Sequence, residues 1–361
     1  METEQITEGD ISFWVPSDRK NTKKDVVFFN PHMRLNRDIS VAVAAQIKPK
    51  RYCDLLAGSG VRGLRIAKES AVGCVWLNDA NPNAFELIKA NALLNKLDVE
   101  VSNRDGNSLL CDESFDFIDV DPFGPPVSFV DSTIRALDKE GMLAFSATDT
   151  SALCGTYPRA AGRKYDALSL RTDYYNEAGL RIFLGYLIRR GLGLNVALAP
   201  VFSHCSRHYF RVYLHAKKSR RACNESLKKV CFLQHCFSCL NRRYAGLDDL
   251  MEFCGCGGRF VNAGPLWSGV LADKSFCASM GDKLDYSPDG RQLVELVGGE
   301  AELSNPYFNL HKVFHKQKMP ARPTRELIDS LKDAGFSAVR THFCALGLRT
   351  DASVEDIYAI L

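Results

Sequence analysis

From about residue 51 to residue 215, short β-branched apolar runs alternate with stretches whose apolar residues recur every three or four positions. That alternation is the signature of a parallel sheet covered by helices. The runs predict seven strands, at 52–56, 75–78, 99–102, 115–120, 142–147, 194–200 and 209–215, and the longer periodic stretches predict helices at 61–69, 82–94, 126–137 and 180–190. The last two strands are joined by a handful of residues that include Ser203-His204-Cys205-Ser206-Arg207, so they are expected to pair antiparallel at one edge. Toward the C-terminus, Leu327, Ile328, Leu331 and Ala334 fall on one helical face, with Thr324 as N-cap and Gly335 as the stop. The fold class is therefore α/β, a seven-stranded sheet followed by a smaller α+β domain. The basic stretch Lys217-Lys218-Ser219-Arg220-Arg221 reads as a linker and divides the chain into 1–218 and 219–361.

A chain of 361 residues has room for two or three packed units with a sizeable core. With 46 Lys plus Arg against 43 Asp plus Glu, the net charge is only +3, so a polyanion site has to be a local patch. No apolar run approaches the roughly 20 residues that cross a membrane, and none is expected to do so. The acidic, polar start Met1-Glu2-Thr3-Glu4-Gln5 lacks the basic-then-apolar order of a secretory signal, which points to the cytoplasm.

Candidate chemistry gathers in the turns after the strands. Asp54-Leu55-Leu56-Ala57-Gly58-Ser59-Gly60 leads from the first strand into a helix, and glycines there let a ligand approach the backbone beside the helix N-terminus. Asp79 ends the second strand where such folds place an acid on a ribose diol, and Arg104-Asp105-Gly106 follows the third, where an acid could accept from an adenine amine. The plain alternatives are a structural joint for the glycine turn and a simple turn residue for Asp105. The fourth strand ends in Asp119-Val120-Asp121-Pro122-Phe123-Gly124-Pro125-Pro126. The prolines stop the strand and fix the backbone, holding the Asp121 carboxylate and the Phe123 ring at the carboxyl edge of the sheet. The turn resembles that of enzymes that methylate the exocyclic amines of bases, and such an amine is a poor nucleophile because its lone pair is delocalised into the ring. A carboxylate there can accept its hydrogen bonds, favour a pyramidal nitrogen and take up the proton, while an aromatic ring stacks on the base.

An Asp-Pro-aromatic turn at this strand end resembles that of S-adenosylmethionine-dependent enzymes that methylate base amines. Together with the segment from Phe28-Phe29-Asn30-Pro31 to Asn36-Arg37-Asp38, the glycine turn and Arg340-Thr341-His342-Phe343, it makes most of the chain similar to the archaeal-type tRNA (guanine-26, N2) dimethyltransferase family. The resemblance implies the class I methyltransferase (Rossmann-like) sheet, S-adenosylmethionine as methyl donor, tRNA as partner with no protein partner, and one or two transfers to guanine N2. It also implies a set of roles. Arg37 would contact the donor's carboxylate with Arg62 near the same site, and Asp54, Gly58 and Gly60 would line the donor turn. Asp79 would hold the ribose, and Asp105 with Gly106 would frame the adenine. Asp121, Pro122 and Phe123 would form the catalytic turn, and one of Phe28 and Phe29 would stack with Phe123 on the flipped base. Extruding a paired base needs phosphate contacts elsewhere. Candidate cations are Lys20, Lys23 and Lys24, then Arg159, Arg163 and Lys164, then the linker.

Thirteen cysteines in a chain expected in a reducing compartment read as thiols or metal ligands rather than disulfides. Cys236, Cys239, Cys254 and Cys256 are close enough in sequence for a structural zinc site within 231–260. The single-residue gap between Cys254 and Cys256 leaves room for His235 or Cys231 to replace one of them. A nicotinamide-dependent oxidoreductase could use the glycine turn and Asp79, but it gives Asp121-Pro122-Phe123-Gly124 no role. A methyltransferase acting on another base amine and an RNA-binding protein without activity are the other readings.

Overall fold

The structure is a computed structural model describing residues 2–20 and 25–361. Its seven-stranded sheet runs in the order Glu100–Ser102, Cys74–Asn78, Arg51–Asp54, Phe115–Val120, Leu137–Ala147, Tyr209–Lys218, Val196–Ser206. The first five of these strands pair in parallel, with Tyr52 opposite Phe117 and Phe117 opposite Met142. The last two are neighbours separated in sequence only by Arg207 and His208, a connection that only an antiparallel pair allows. This is the seven-stranded sheet read from the apolar runs.

The helices Val61–Glu69 and Pro82–Leu94 fall where the periodicity places them, for visible reasons. Gly60 stands at the N-cap of the first. Asn81 caps the second, its side chain accepting from the Asn83 N–H at 3.0 Å, and Pro82 occupies the first turn, where its missing N–H costs nothing. A Cβ on Gly63 would lie 2.0 Å from Leu77, so only glycine lets the first helix sit this close to the sheet.

Several boundaries differ from the sequence reading. Residues 126–137 are not one helix but a 3-10 turn Val127–Phe129 and a short helix Val130–Arg135, and Leu137 already opens the strand Leu137–Ala147. The first half of that strand is hidden in the sequence because Asp138, Lys139 and Glu140 are exposed polar residues, Glu140 reaching His215 at 2.9 Å and Lys217 at 3.1 Å. The expected basic linker is a tight joint: Lys217 and Lys218 finish a strand, and Ser219 caps the helix Arg220–Leu227 by accepting from Ala222 N–H. Thr324 is not the N-cap; Pro323 holds that position and Thr324 is the first, buried, helical residue. Unread in the sequence were the hairpin of Thr3–Glu8 and Ile11–Pro16 and the helix Arg34–Ile47.

The chain groups into two compact units. One comprises residues 1–147, 213–218 and 278–294; the other comprises 148–212, 219–277 and 295–361. In the first, Phe13, Tyr52, Phe115, Phe117 and Phe145 are fully buried aromatics of the core. The second contains two three-stranded sheets, Arg242–Ala245, Val230–Cys236, Phe260–Trp267 and Phe308–Asn309, Cys344–Thr350, Ala338–Thr341. Leu310, Phe314, Leu327, Leu331, Leu348 and Ile357 pack as a core beside the latter. It also buries a network of charges: Arg349 donates to Glu177 at 2.9 Å and Glu300 at 2.7 Å, and Glu300 accepts from Thr341 and from His342 at 2.6 Å each.

Candidate active site

The glycine turn is built around Asp79. Gly58 and Gly60 have φ of +57° and +79°, a region closed to most side chains, and a Cβ on Gly58 would come 3.0 Å from the Phe28 carbonyl oxygen. The Gly58 N–H donates to Asp79 Oδ2 at 2.8 Å while Oδ1 accepts from the Asn81 N–H at 2.9 Å, so Asp79 joins the glycine turn to the next helix. Asn78, which sequence reasoning missed, holds three loops together. Its amide donates to the carbonyls of Leu55 and Arg104 at 3.0 Å each, and its oxygen accepts from Ser102 Oγ at 2.7 Å. Asn91 ties the N-terminal hairpin to the same turn, donating to Ser59 O at 3.0 Å and accepting from Trp14 N–H at 2.7 Å. Asp54 is buried at the end of its strand. Asp105 is exposed and caps the helix Gly106–Asp112, accepting from Ser108 N–H at 3.0 Å. Gly106 is buried, and a Cβ there would lie 3.2 Å from Leu55.

The turn after Phe115–Val120 presents Asp121 and Phe123 at the same edge. The Asp121 side chain is 16% exposed and one oxygen is ion-paired with Nη2 of Arg62. Arg62 is itself held by two residues of the helix Arg34–Ile47 one turn apart: its Nη1 donates to Asn36 Oδ1 and to Ser40 Oγ at 2.6 Å each, and it lies 3.8 Å from the buried Asp119 carboxylate. Ser40 in turn bonds the Tyr213 hydroxyl at 2.9 Å. Asn36 belongs to the Asn36-Arg37-Asp38 segment singled out in the sequence, whereas nothing local marks Ser40.

Phe123 is 50% exposed, and its ring meets that of Phe28 edge to face with centroids 4.3 Å apart. Phe29 is 2% exposed and packs on Phe13, with the Arg37 guanidinium 5.1 Å from its ring centre. Phe28 thus reaches the Asp121 turn, whereas Phe29 lies in the core. Arg37 is engaged on both sides, its Nε and Nη2 donating to Glu8 at 2.7 and 2.5 Å and its Nη1 to the Asn30 carbonyl at 3.1 Å. Burial alone would raise the Glu8 carboxyl, but Arg37 and then Arg65 hold it below the usual range.

The Asp121 carboxylate, the Phe28 and Phe123 rings and the glycine turn thus all stand at the strand ends of the sheet. Residues 9–361 match the family profile described as N2,N2-dimethylguanosine tRNA methyltransferase. The chain belongs to that family. The tRNA (guanine(26)-N(2))-dimethyltransferase of Methanothermobacter thermautotrophicus is 36% identical over 372 residues, 99% of this chain and 98% of that one. The enzyme of the same name from Methanopyrus kandleri is 37% identical, covering 100% and 97% of the two chains. Among solved structures, Trm1 from Pyrococcus horikoshii in complex with S-adenosyl-L-methionine superposes with a TM-score of 0.90 at 29% identity, over 99% of both chains. The fold is thereby the class I methyltransferase fold. Among the described residues, no helix is long and apolar enough to cross a membrane.

The remaining residues singled out in the sequence lie in the second unit, apart from Lys20, Lys23, Lys24 and the linker's Lys217 and Lys218. Lys23 and Lys24 fall outside the described residues. Arg159 and Arg163 are exposed on the helix Pro158–Tyr165, whereas Lys164 pairs with Asp149 at 2.9 Å. The sulfurs of Cys236, Cys239, Cys254 and Cys256 all lie within 4.8 Å of one another, with Cys236 to Cys256 and Cys239 to Cys254 both 3.6 Å. His235 stands outside this set, its Nδ1 3.2 Å from the Tyr174 hydroxyl, and burial and then Arg242 lower it to about 4. Burial opposes ionisation of Cys236, yet N–H donors of Cys239 and Ser238 bring its thiol down to about 7.

Proposed function

We infer that this chain methylates the exocyclic N2 amine of guanine 26 in tRNA, once or twice, with S-adenosylmethionine as donor. The observation that carries the reading is the placement of the Asp121 carboxylate beside the Phe28 and Phe123 rings, at the sheet edge that also holds the glycine turn, in a chain matched end to end by enzymes named for that reaction. The oxidoreductase reading leaves that turn without a task.

The residues present suit the donor. Each oxygen of Asp79 accepts one N–H and keeps a lone pair for a ribose hydroxyl. Gly58, Gly60 and Gly106 keep side chains out of the space beside them, Asp54 ends one strand of the sheet and Asp105 follows another, with Arg62 on the helix after the glycine turn, and Arg37 would have to exchange its bonds to Glu8 and Asn30 to reach a donor carboxylate. When bound, the donor supplies an electrophilic methyl on a sulfonium sulfur. Asp121 does the rest of the chemistry we assign. Its second oxygen accepts from the N2 amine, draws the lone pair out of conjugation and takes the proton that N2 sheds as its new bond to carbon forms. Pro122 fixes the backbone of that carboxylate. An amine with two hydrogens loses one per transfer, so the reaction ends at the dimethyl product. Phe28 and Phe123 touch edge to face, and a flipped guanine stacks by opening that contact.

We read residues 1–218 as the methyl-transferring domain and 219–361 as the tRNA-binding one. Four thiolates about 2.3 Å from a zinc ion stand roughly 3.8 Å apart, close to the observed sulfur spacings, so the cysteine cluster suits a structural Zn2+ with no open coordination position. A tRNA substrate places the enzyme's work in the cytoplasm. The test is transfer of labelled methyl from S-adenosylmethionine to an unmodified tRNA transcript and to one carrying adenine at position 26. Label in the first alone supports the reading; equal label in both contradicts it.

A further inference from the structure

We propose that the helix Pro158–Tyr165 and the loop beside it form a grip for the sugar-phosphate backbone of RNA, built from Arg159, Arg163 and Arg171 with Tyr157 and Tyr175. The proposal rests on the tRNA reading above and adds the surface that holds the substrate.

Arg159 and Arg163 are one helical turn apart and both exposed, so they project from the same face. Neither has an ion-pair partner among the described residues. Tyr157, immediately before the helix, is 63% exposed. A Cβ on Gly155 would lie 2.4 Å from the Arg171 backbone nitrogen, which sets the segment before the helix directly against the segment after it. Arg171 is exposed, lies 3.7 Å from the centre of the Tyr175 ring and donates to Thr156 Oγ1 at 3.5 Å. Three guanidiniums with two aromatic rings thus occupy adjoining segments, a combination that suits phosphate oxygens and unstacked bases better than a neutral or cationic partner.

The carboxylates of the neighbouring segments are mostly spent. Asp149 is taken by Lys164 and by the Tyr165 hydroxyl, Asp173 pairs with Arg242 at 3.3 Å, and only Asp166 remains exposed at the end of the helix. The platform is rigid, since Tyr165 is fully buried and Arg189 donates to the carbonyls of Tyr165 and Asp166 at 2.7 and 3.3 Å. In the basic joint at 217–221, Lys217 is paired with Glu140 and Lys218 donates to the Leu137 carbonyl. The structure also divides the three cations grouped in the sequence, because Lys164 is neutralised by Asp149 while the two arginines are not.

The test measures binding of an unmodified tRNA transcript to the full-length protein across roughly 50 to 200 mM salt, together with methylation kinetics. The double change Arg159→Ala, Arg163→Ala is expected to lower the slope of log affinity against log salt by about 2, and adding Arg171→Ala by about 1 more. KM for tRNA rises, while kcat at saturating tRNA stays within about twofold. Lys164→Ala leaves the slope unchanged, and Arg159→Lys with Arg163→Lys retains it. Should the triple variant melt early, the single change Arg163→Gln, expected to lower the slope by about 1, decides the same point. An unaltered slope in these variants, in a protein whose wild type methylates tRNA, overturns the grip; so does an equal loss in Lys164→Ala. Failure of the wild type to methylate guanine 26 overturns the functional reading instead.

Discussion

The guanidinium of Arg62 is ion-paired with the carboxylate of Asp121, the group assigned to take the proton from the substrate amine. Neither residue is fully solvated: Arg62 is 8% exposed and Asp121 16%, and Arg62 is braced from behind by Asn36 and Ser40. One oxygen of Asp121 is therefore oriented by the protein and the other is left for the amine. Replacing Asp121 by Asn keeps the shape and one hydrogen-bond acceptor but removes the proton acceptor. We expect kcat to fall by roughly 10²- to 10⁴-fold with donor affinity retained. An Asp121→Asn enzyme with near-normal kcat would contradict the role.

Arg62→Met should act on folding as well as turnover, because it removes the cation that is paired with the half-buried Asp121 and lies 3.8 Å from the buried Asp119. Loss of one partner of such a pair costs about 3 kcal/mol. Urea unfolding of the variant checks this, and a midpoint equal to that of the wild type would show that the pair is energetically idle.

Phe28 and Phe29 are adjacent in sequence and should separate cleanly in their effects. Phe28→Ala is expected to lower kcat/KM for tRNA by roughly 10- to 100-fold, the worth of about one stacked base, with little change in melting temperature. Phe29→Ala removes a core ring that is 2% exposed and should cost about 3 kcal/mol of stability or more. The reverse assignment, with Phe28→Ala unstable and Phe29→Ala inactive but stable, would contradict the pocket described above.

The buried charge network of the second unit predicts an acid limit. Burial opposes ionisation of Glu300, but Arg349 and then His342 outweigh it and hold its carboxyl at about 2, against the ordinary glutamate value of 4.5. A carboxyl depressed in the folded state contributes stability that is complete above pH 4.5 and is lost as pH falls toward 2. A difference of that size is on the order of 3 kcal/mol. Denaturant unfolding of wild type at pH 7 and pH 3 should show the loss, and Glu300→Gln should be less stable at pH 7 and flatter across that window. A variant with the full pH slope of the wild type would remove Glu300 from the account.

The cysteine cluster predicts about one zinc per chain by elemental analysis, falling to near zero in a Cys236→Ser, Cys254→Ser variant together with a lower melting temperature. Metal-free wild-type protein with an unchanged melting temperature would show that the four thiols are held by packing alone.

The sheet was legible because its strands carry clusters of buried apolar residues, as in Phe115–Val120, where Phe115, Phe117, Ile118 and Val120 are buried around two aspartates. The helices Val61–Glu69 and Pro82–Leu94 were legible because glycine and an Asn-Pro pair mark their starts. The strand Leu137–Ala147 was legible only from Met142 on, since Asp138, Lys139 and Glu140 face solvent and look like a loop. Asp121 and the glycine turn announce themselves by local backbone chemistry, whereas the partners of Arg62 and Arg37 do not. Arg37 meets Glu8 across 29 positions of sequence, and such pairings exist only once the chain is folded. The same holds for Lys164, which looks like its arginine neighbours until Asp149 is brought beside it.

The most direct measurement is nucleoside mass spectrometry of an unmodified tRNA transcript after incubation with the enzyme and S-adenosylmethionine. The account predicts N2-methylguanosine followed by N2,N2-dimethylguanosine, mapped to position 26, with neither formed by Asp121→Asn at a comparable rate. Methylation of a different nucleobase, or of guanine at a ring nitrogen rather than N2, would contradict it.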